Sequence, residues 1–376
     1  MFIDIHILQT VPFSNLNRDD KGTPKTVVYG GAQRARVSSQ SWKRATRTQL
    51  EQLIPAATTY RTRLPDKRLA EILESADGGA IDAEQAEKIA LGVFRALGTK
   101  KAKDVVAIFS EQELQALVPV AIEHTDKLVA LALTEAKDAS KVDAELKKAL
   151  TAVVSVRRPT TVALFGRMIA DNTAVNVDAA MQVAHAFSID EIDIEDDFFT
   201  AVEELVDEAD SMGSAHMDNA EFVSATFYRY ATLDFNELVA NSGGDVELAT
   251  ELATAGIKAF CLSLPTGKNN VTAPHTVPDL VHITVNKSRP ISFAGAFEKP
   301  VRARNESPAF EGAKILGTYS QRISRMVTEA DDPFGVVSML DDEVVADLGQ
   351  NYAEGGGLDK LITAAVESVA GSASAA

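Results

Sequence analysis

The sequence predicts an α+β protein in which a sheet-forming framework is split by a long helical insertion. Three observations carry that expectation. Period-two alternation opens the framework at Phe2–Leu8, where Ile3, Ile5 and Ile7 share one face and Asp4 and His6 the other. It returns at EFVSATFYRYATLDF, where Ser224, Thr226, Tyr228 and Tyr230 oppose Val223, Ala225, Phe227 and Leu233. Between them, residues 66–186 turn to Ala, Leu, Lys and Glu with few aromatics, in the period of amphipathic helices.

Taken in order, the first alternating segment reads as a half-buried strand. SNLNRDDKGTPK is a loop rich in turn formers. VSSQSWKRATRTQLEQL follows, with Ser38 or Ser39 able to cap a helix that runs to about Leu53 and stops at Pro55. LPDKRLAEILESA, DAEQAEKIALGVFRAL, SEQELQALVPVAIEHTDKLVALALTEA and DAELKKALTAVVS read as the inserted helices. The second alternating segment is a long strand. VELATELATAGIKAFCLSL is a helix, LVHITVNKS a strand, and SPAFEGAKILGTYSQRISRM a helix opened by a Ser cap and a first-turn Pro. The tail AGSASAA is low in complexity and expected to fray. Without the insertion the order is strand, helix, strand, helix, strand. That suits a ferredoxin-like sheet of the kind used by RNA-recognition domains, made from segments about 170 residues apart.

A chain of 376 residues has room for two or three structural units. With 45% hydrophobic and 24% charged residues it is expected to be globular throughout. No apolar run approaches the roughly 18 residues of a membrane span. The N-terminus lacks a basic region and cleavage site, so a soluble, cytoplasmic protein with no membrane partner is expected. The lone Cys261 excludes an internal disulfide and a cysteine zinc site. Six scattered histidines form no metal-binding pair, so neither metal nor cofactor is expected.

The net charge of −17 argues against phosphate binding by the molecule as a whole. The charge is segregated, however. Residues 1–50 hold eight Lys/Arg against three Asp/Glu, and residues 285–304 five against one. Residues 186–221 hold thirteen acids and no Lys/Arg, and residues 326–376 ten acids and one Lys. Such blocks suit a positive groove on a negative body; an unevenly charged solvated surface is the plain alternative.

The densest polar constellation is Ser38, Ser39, Gln40, Lys43, Arg44 and Arg47. At 100° per residue the three cations share about a 100° arc of one helix face, with Trp42, Ala45 and Leu53 opposite. The helix N-terminus adds free amides beside two hydroxyls and an amide side chain, a geometry that binds oxyanions. Lys25, Arg34 and Arg36 lie just upstream and would extend a point into a track. A solvated basic face is the competing reading. Catalytic signals are weak. EIDIEDD at 191–197 lacks the glycine and spacing of a calcium loop and reads as an exposed strand. Asp19 and Asp20 could hold Mg²⁺ for phosphodiester cleavage, which leaves a metal-dependent RNA endonuclease as the alternative function. Cys261 has no evident base and is expected in helix packing. TGK at 266–268 lacks the upstream glycine of a phosphate loop and is expected to form a basic loop.

LNRDD at 16–20, YGG at 29–31, RVSSQSWKRA at 36–45, GRM at 166–168, DDFFTAVEEL at 196–205, GSAH at 213–216, FYRYA at 227–231 and AFEK at 296–299 stand in one order. Together they closely resemble the CasC family, the repeated backbone subunit of Cascade, the type I-E CRISPR surveillance complex. The resemblance runs over nearly the whole chain. It implies a non-catalytic scaffold that polymerises along a CRISPR RNA with copies of itself and other Cascade subunits, kinks the guide at every sixth nucleotide, and presents it for pairing with target DNA. It further implies an RNA-recognition-motif-like palm (residues 1–58 and 223–376), a helical fingers insertion (59–185) and a β-hairpin thumb with its approach (186–222). Carried onto matching positions, the RNA-binding set is Lys25, Ser38, Gln40, Lys43, Arg44 and Arg47, with Arg302 and Arg304 of VRAR as a second set. Met168, Phe198, Phe199 and Thr200 would wedge or flank bases near the kink. The family often carries Trp where Phe198 stands, and the smaller ring keeps its stacking ability.

Overall fold

The computed structural model describes residues 1–76, 81–98, 107–134, 142–156, 161–169, 172–200, 217–327, 333–353 and 356–373. In chain order these form β1 (Phe2–Ser14), β2 (Thr26–Tyr29), β3 (Ala32–Val37), α1 (Ser39–Leu53), β4 (Thr59–Thr62), α2 (Pro65–Ala76), α3 (Ala83–Ala96), β5 (Ala107–Ser110), α4 (Glu111–Glu123), α5 (Thr125–Leu133), α6 (Ala144–Ser155), α7 (Thr161–Phe165), β6 (Met181–Val183), β7 (Ala186–Ser188), β8 (Glu195–Thr200) and β9 (Met217–Asp234). There follow α8 (Phe235–Asn241), α9 (Val246–Leu262), α10 (Asn269–Thr272), β10 (Leu280–Asn286), α11 (Pro308–Met326), β11 (Pro333–Ser338), α12 (Asp342–Val345), β12 (Gln350–Asn351) and α13 (Gly357–Ala373). Two compact units result. One comprises residues 1–49, 183–233 and 257–372, the other residues 50–182, 234–256 and 373–376.

The first unit is built on a large mixed sheet in the order β12-β11-β10-β1-β9-β7-β3-β2, with β8 also paired to β9. β1 lies antiparallel to β10 from Phe2↔Asn286 to Leu8↔Leu280, while β11 and β12 are parallel. The expected half-buried β1 is instead buried on both faces: Ile3, Ile5 and Ile7 on one, Asp4 and His6 on the other, all at 0% exposure. Polar residues can occupy that second face because partners meet them there, although among the described residues His6 Nε2 is buried without one. The Asp4 carboxylate accepts from the Tyr230 hydroxyl, the Asn286 amide and the Ile291 N–H at 2.7–2.8 Å. The Tyr228 hydroxyl accepts from the Phe293 N–H (3.0 Å) and is hydrogen-bonded to His6 Nδ1 (2.9 Å). The His6 ring stacks on Phe293 at 4.0 Å. Alongside, Leu8, Phe297, Leu316 and Val336 join one apolar cluster under α11. Ser307 caps α11 by accepting from the Phe310 N–H, with Pro308 in the first turn. The tail also differs from expectation. α13 carries Ala370–Ala373 in helix, because Leu361, Ile362, Val366 and Val369 bury a full stripe that anchors the small residues after it.

The second unit is mainly helical, with the β4–β5 pair beside its helices. Leu69, Leu73, Ile89, Val93, Phe94, Leu114, Leu117 and Leu150 form its core. Its helices start where their caps stand: Asp82 accepts from the Gln85 N–H, Asp143 from Glu145 and Leu146, and Ser110 with Glu113 makes a full capping box. The segment expected as one helix after Ser110 breaks at His124 into α4 and α5. Among the described residues no helix is long and apolar enough to cross a membrane.

Candidate nucleic-acid interface

The basic residues of α1 are held by what lies under them. Trp42, Thr46 and Leu50, four apart, form the buried stripe. Trp42 meets the buried Arg229 of β9, whose guanidinium lies 3.8 Å from the Trp42 ring centre and 4.8 Å from that of Phe260. Arg229 donates to Gln9 Oε1 and to the carbonyls of Phe260 and Cys261 in the last turn of α9. A cation there sits at the negative end of the helix dipole. Cys261 beside it is fully buried, and burial pushes its thiol up to about 12, so it packs as a neutral group. Leu53, expected on the packed side, lies in the last turn of α1 and is 42% exposed. The face left outward carries Arg44, exposed, and Lys43 and Arg47, half-buried. Burial pushes the Lys43 ammonium below its ordinary value, and among the described residues no carboxylate pairs with it or with Arg44. A cation already partly stripped of water loses less hydration on meeting a phosphate.

The N-terminus of α1 is tied to the LNRDD loop by one side chain. Asn17 accepts the Ser38 N–H on Oδ1 (2.9 Å) while its carbonyl accepts the Lys25 N–H (2.9 Å). Lys25 and Ser38 are thereby set at one place. The Ser38 hydroxyl is buried and accepts from the Ser41 N–H (3.3 Å), capping the helix and leaving its own hydrogen to donate. Gln40 is exposed in the first turn. Asp19 is exposed, and its Oδ1 accepts the N–H groups of Lys21 and Thr23 and closes the loop. The TGK loop borders the same segment, since a Cβ at Gly267 would come within 2.4 Å of the Leu16 carbonyl.

Arg34 corrects the expected track. It is fully buried, its guanidinium donating to the carbonyls of Ser188 and Ile189 at 2.8 Å and of Phe297 and Glu298 at 3.2 Å. It staples the sheet edge to the segment before α11 and offers nothing to a ligand. That packing explains Gly30 of YGG. At φ +61° its missing side chain would stand 1.6 Å from the Glu298 carbonyl. Arg302 and Arg304 are exposed, one and three residues past Val301, whose N–H is anchored on the Ile189 carbonyl.

β8 forms an antiparallel ladder with β9 from Glu195↔Phe222 to Thr200↔Met217. Phe198 stands opposite Asn219 and is 73% exposed. For Phe199 and Thr200 the backbone belongs to this ladder, and their side chains lie outside the described residues, as do 201–216 and the GSAH motif. Ile192 is buried between the exposed Glu191 and Asp193, so the alternation of EIDIEDD is real, although the strand begins only at Glu195.

Met168 belongs to the second unit and is 78% exposed between two anchors. Arg167 is buried, paired with Glu113 at 2.6 Å and donating to the Val175 carbonyl. The Ile169 N–H donates to Asn176 Oδ1 at 2.6 Å. Gly166, at φ +76°, makes the turn into this segment.

One residue of the first unit escaped the sequence reading. His185, just before β7, is exposed, and its Nδ1 accepts from the Ser39 N–H (3.2 Å) and from the Arg36 guanidinium (3.3 Å). Burial, then Arg36 and Lys25, hold its imidazole below the usual histidine value.

An α+β protein that mounts three cations on one helix, held by buried contacts to a broad sheet, offers a surface suited to a polyanion. The chain belongs to the CT1975-like family, whose model matches residues 3–364, and this is the CasC family whose motifs the sequence carries. A solved chain from a "CRISPR RNA-guided surveillance complex, pre-nicking" is 35% identical, with a TM-score of 0.81 over 99% of this chain and 100% of that one. A second, from a "CRISPR RNA-guided surveillance complex", is 32% identical, with a TM-score of 0.75 over 98% of this chain and 100% of that one. A comparison with curated protein sequences gave no match.

Proposed function

We propose that this chain is the non-catalytic, CRISPR-RNA-binding backbone subunit of a type I-E Cascade complex, and that α1 is where it holds the guide. The observation that carries the function is likeness to surveillance-complex chains from end to end, at an identity that extends well beyond fold. The sheet-bearing unit then acts as the palm, the helical unit as the fingers, and the β8–β9 ladder as the base of the thumb. Lys25, Ser38, Gln40, Lys43, Arg44 and Arg47 take the sugar–phosphate backbone, with Arg302 and Arg304 as a second track. Cations and amides of this kind fix a strand without reading sequence, as a carrier of many guides requires. Phe198, Phe199, Thr200 and Met168 flank bases at the kink; the exposure of Phe198 on the β8–β9 ladder and of Met168 between anchored neighbours supports that role. Target DNA is met through the guide's own bases, and copies join head to tail, a contact that propagates and does not close.

The test is assembly on RNA of graded length. Bound mass should rise by one subunit for each added six nucleotides, and nuclease-free RNA should be recovered intact with or without Mg²⁺. A fixed stoichiometry on every length, or Mg²⁺-dependent cleavage, would refute the reading.

A further inference from the structure

The two nitrogens of His185 do different work. Nδ1 accepts two hydrogen bonds, from the Ser39 amide that opens α1 and from Arg36 on β3. A nitrogen that accepts carries no proton, so the neutral ring has its hydrogen on Nε2. Protonating Nδ1 would break both bonds and place a third cation beside Arg36 and Lys25, the charged groups that act on this ring. Arg36 is steadied on its other side by the Thr26 carbonyl, which accepts from Nε at 3.5 Å. The ring is exposed at the foot of α1, next to the helix that bears Lys43, Arg44 and Arg47.

We propose that His185 is a further RNA contact: a neutral imidazole whose Nε2–H donates to a backbone phosphate, while Nδ1 positions Arg36 and the first turn of α1. The inference rests on the reading of α1 as the guide-holding helix. It gives the site a donor that carries no charge. Such a group adds affinity without releasing a counterion, so it should leave the salt dependence of binding unchanged, unlike the lysines and arginines around it.

The experiment uses the full chain and a labelled single-stranded RNA, with affinity read across a salt series at pH ~7.5 and ~6. Two variants separate the nitrogens. H185N keeps an acceptor near the Nδ1 position and loses the reach of Nε2; H185Q restores a donor at that reach. H185N should bind about three- to tenfold more weakly, the size of one neutral hydrogen bond, with an unchanged log–log salt slope. H185Q should recover most of that loss, and wild-type affinity should not rise at the lower pH. Wild-type affinity in H185N would reduce His185 to a positioning residue and overturn the contact. A slope lower by about 0.7 in H185N, or tighter wild-type binding in acid that H185N abolishes, would mean a charged ring and overturn the neutral donor. If the wild-type chain binds no RNA at all, the parent reading fails and this one with it, an outcome distinct from the others.

Discussion

Acid should loosen the sheet-bearing unit below about pH 6.5, because two histidines are buried there as neutral rings. His6 and His282 face each other across β1 and β10 at 0% exposure, their centres 5.6 Å apart. Burial drives His282 down to about 4, and burial together with His282 drives His6 well below the ordinary 6.5. Each depressed value means that the unfolded chain binds a proton the folded chain refuses, so stability is complete above about 6.5 and falls as pH drops toward 4. One pH unit is worth about 1.4 kcal/mol per histidine, so at pH ~5 His282 alone costs about 2 kcal/mol, and His6 adds to that. Against a total of about 5–15 kcal/mol that is a large share. Asp4 opposes them. Burial raises its carboxyl despite the hydrogen bonds from Thr232, Ile291, Tyr230 and Asn286, so its protonation in the folded state returns part of the loss. The measurement is urea unfolding from pH 7.5 to 4.5 with the two ring protons followed by NMR in native protein. The denaturation midpoint should fall between pH ~6.5 and ~5, while neither ring titrates near the ordinary histidine value in the folded state. A native His6 or His282 that titrates near 6.5, or a midpoint flat across that interval, would refute the argument.

Reversing Lys43, Arg44 and Arg47 to Glu should abolish RNA binding, and the milder triple Gln variant should lower the log–log salt slope by about two units; an unaltered slope in filter binding removes α1 from the site. Phe198→Ala should weaken guide retention by about five- to a hundredfold, the range of one lost stacking contact, with melting temperature unmoved because the ring is exposed. Breaking the buried Arg167–Glu113 pair with Glu113→Ala should cost about 3–5 kcal/mol by leaving an unpaired buried guanidinium and removing the acceptor of the buried Ser110 N–H, read as an earlier denaturant transition. Gly30→Ala should be among the worst small substitutions, since its methyl would meet the Glu298 carbonyl; a wild-type melting temperature would show that the YGG turn is not pinned as described.

Local signals were legible wherever one element contains the whole cause. The isoleucine alternation of β1, the Ser307–Pro308 start of α11 and the cation cluster of α1 are each written within a few residues, and the ordered motifs were enough to place the family. Tertiary contact decided the rest. Arg34 and Arg36 are two residues apart in one strand, with equal claim to a phosphate in sequence. Only the fold sends one guanidinium into the carbonyls of Ser188, Ile189, Phe297 and Glu298 and the other toward His185. Asp4 and His6 looked like the wet face of a strand until Tyr230, Asn286 and Phe293 covered them, from residues more than 200 positions away. Period and propensity report which side of an element is apolar. They do not report which distant backbone supplies the partners that let a charge or an imidazole be buried, and those partners set whether a polar side chain holds the fold together or faces the RNA.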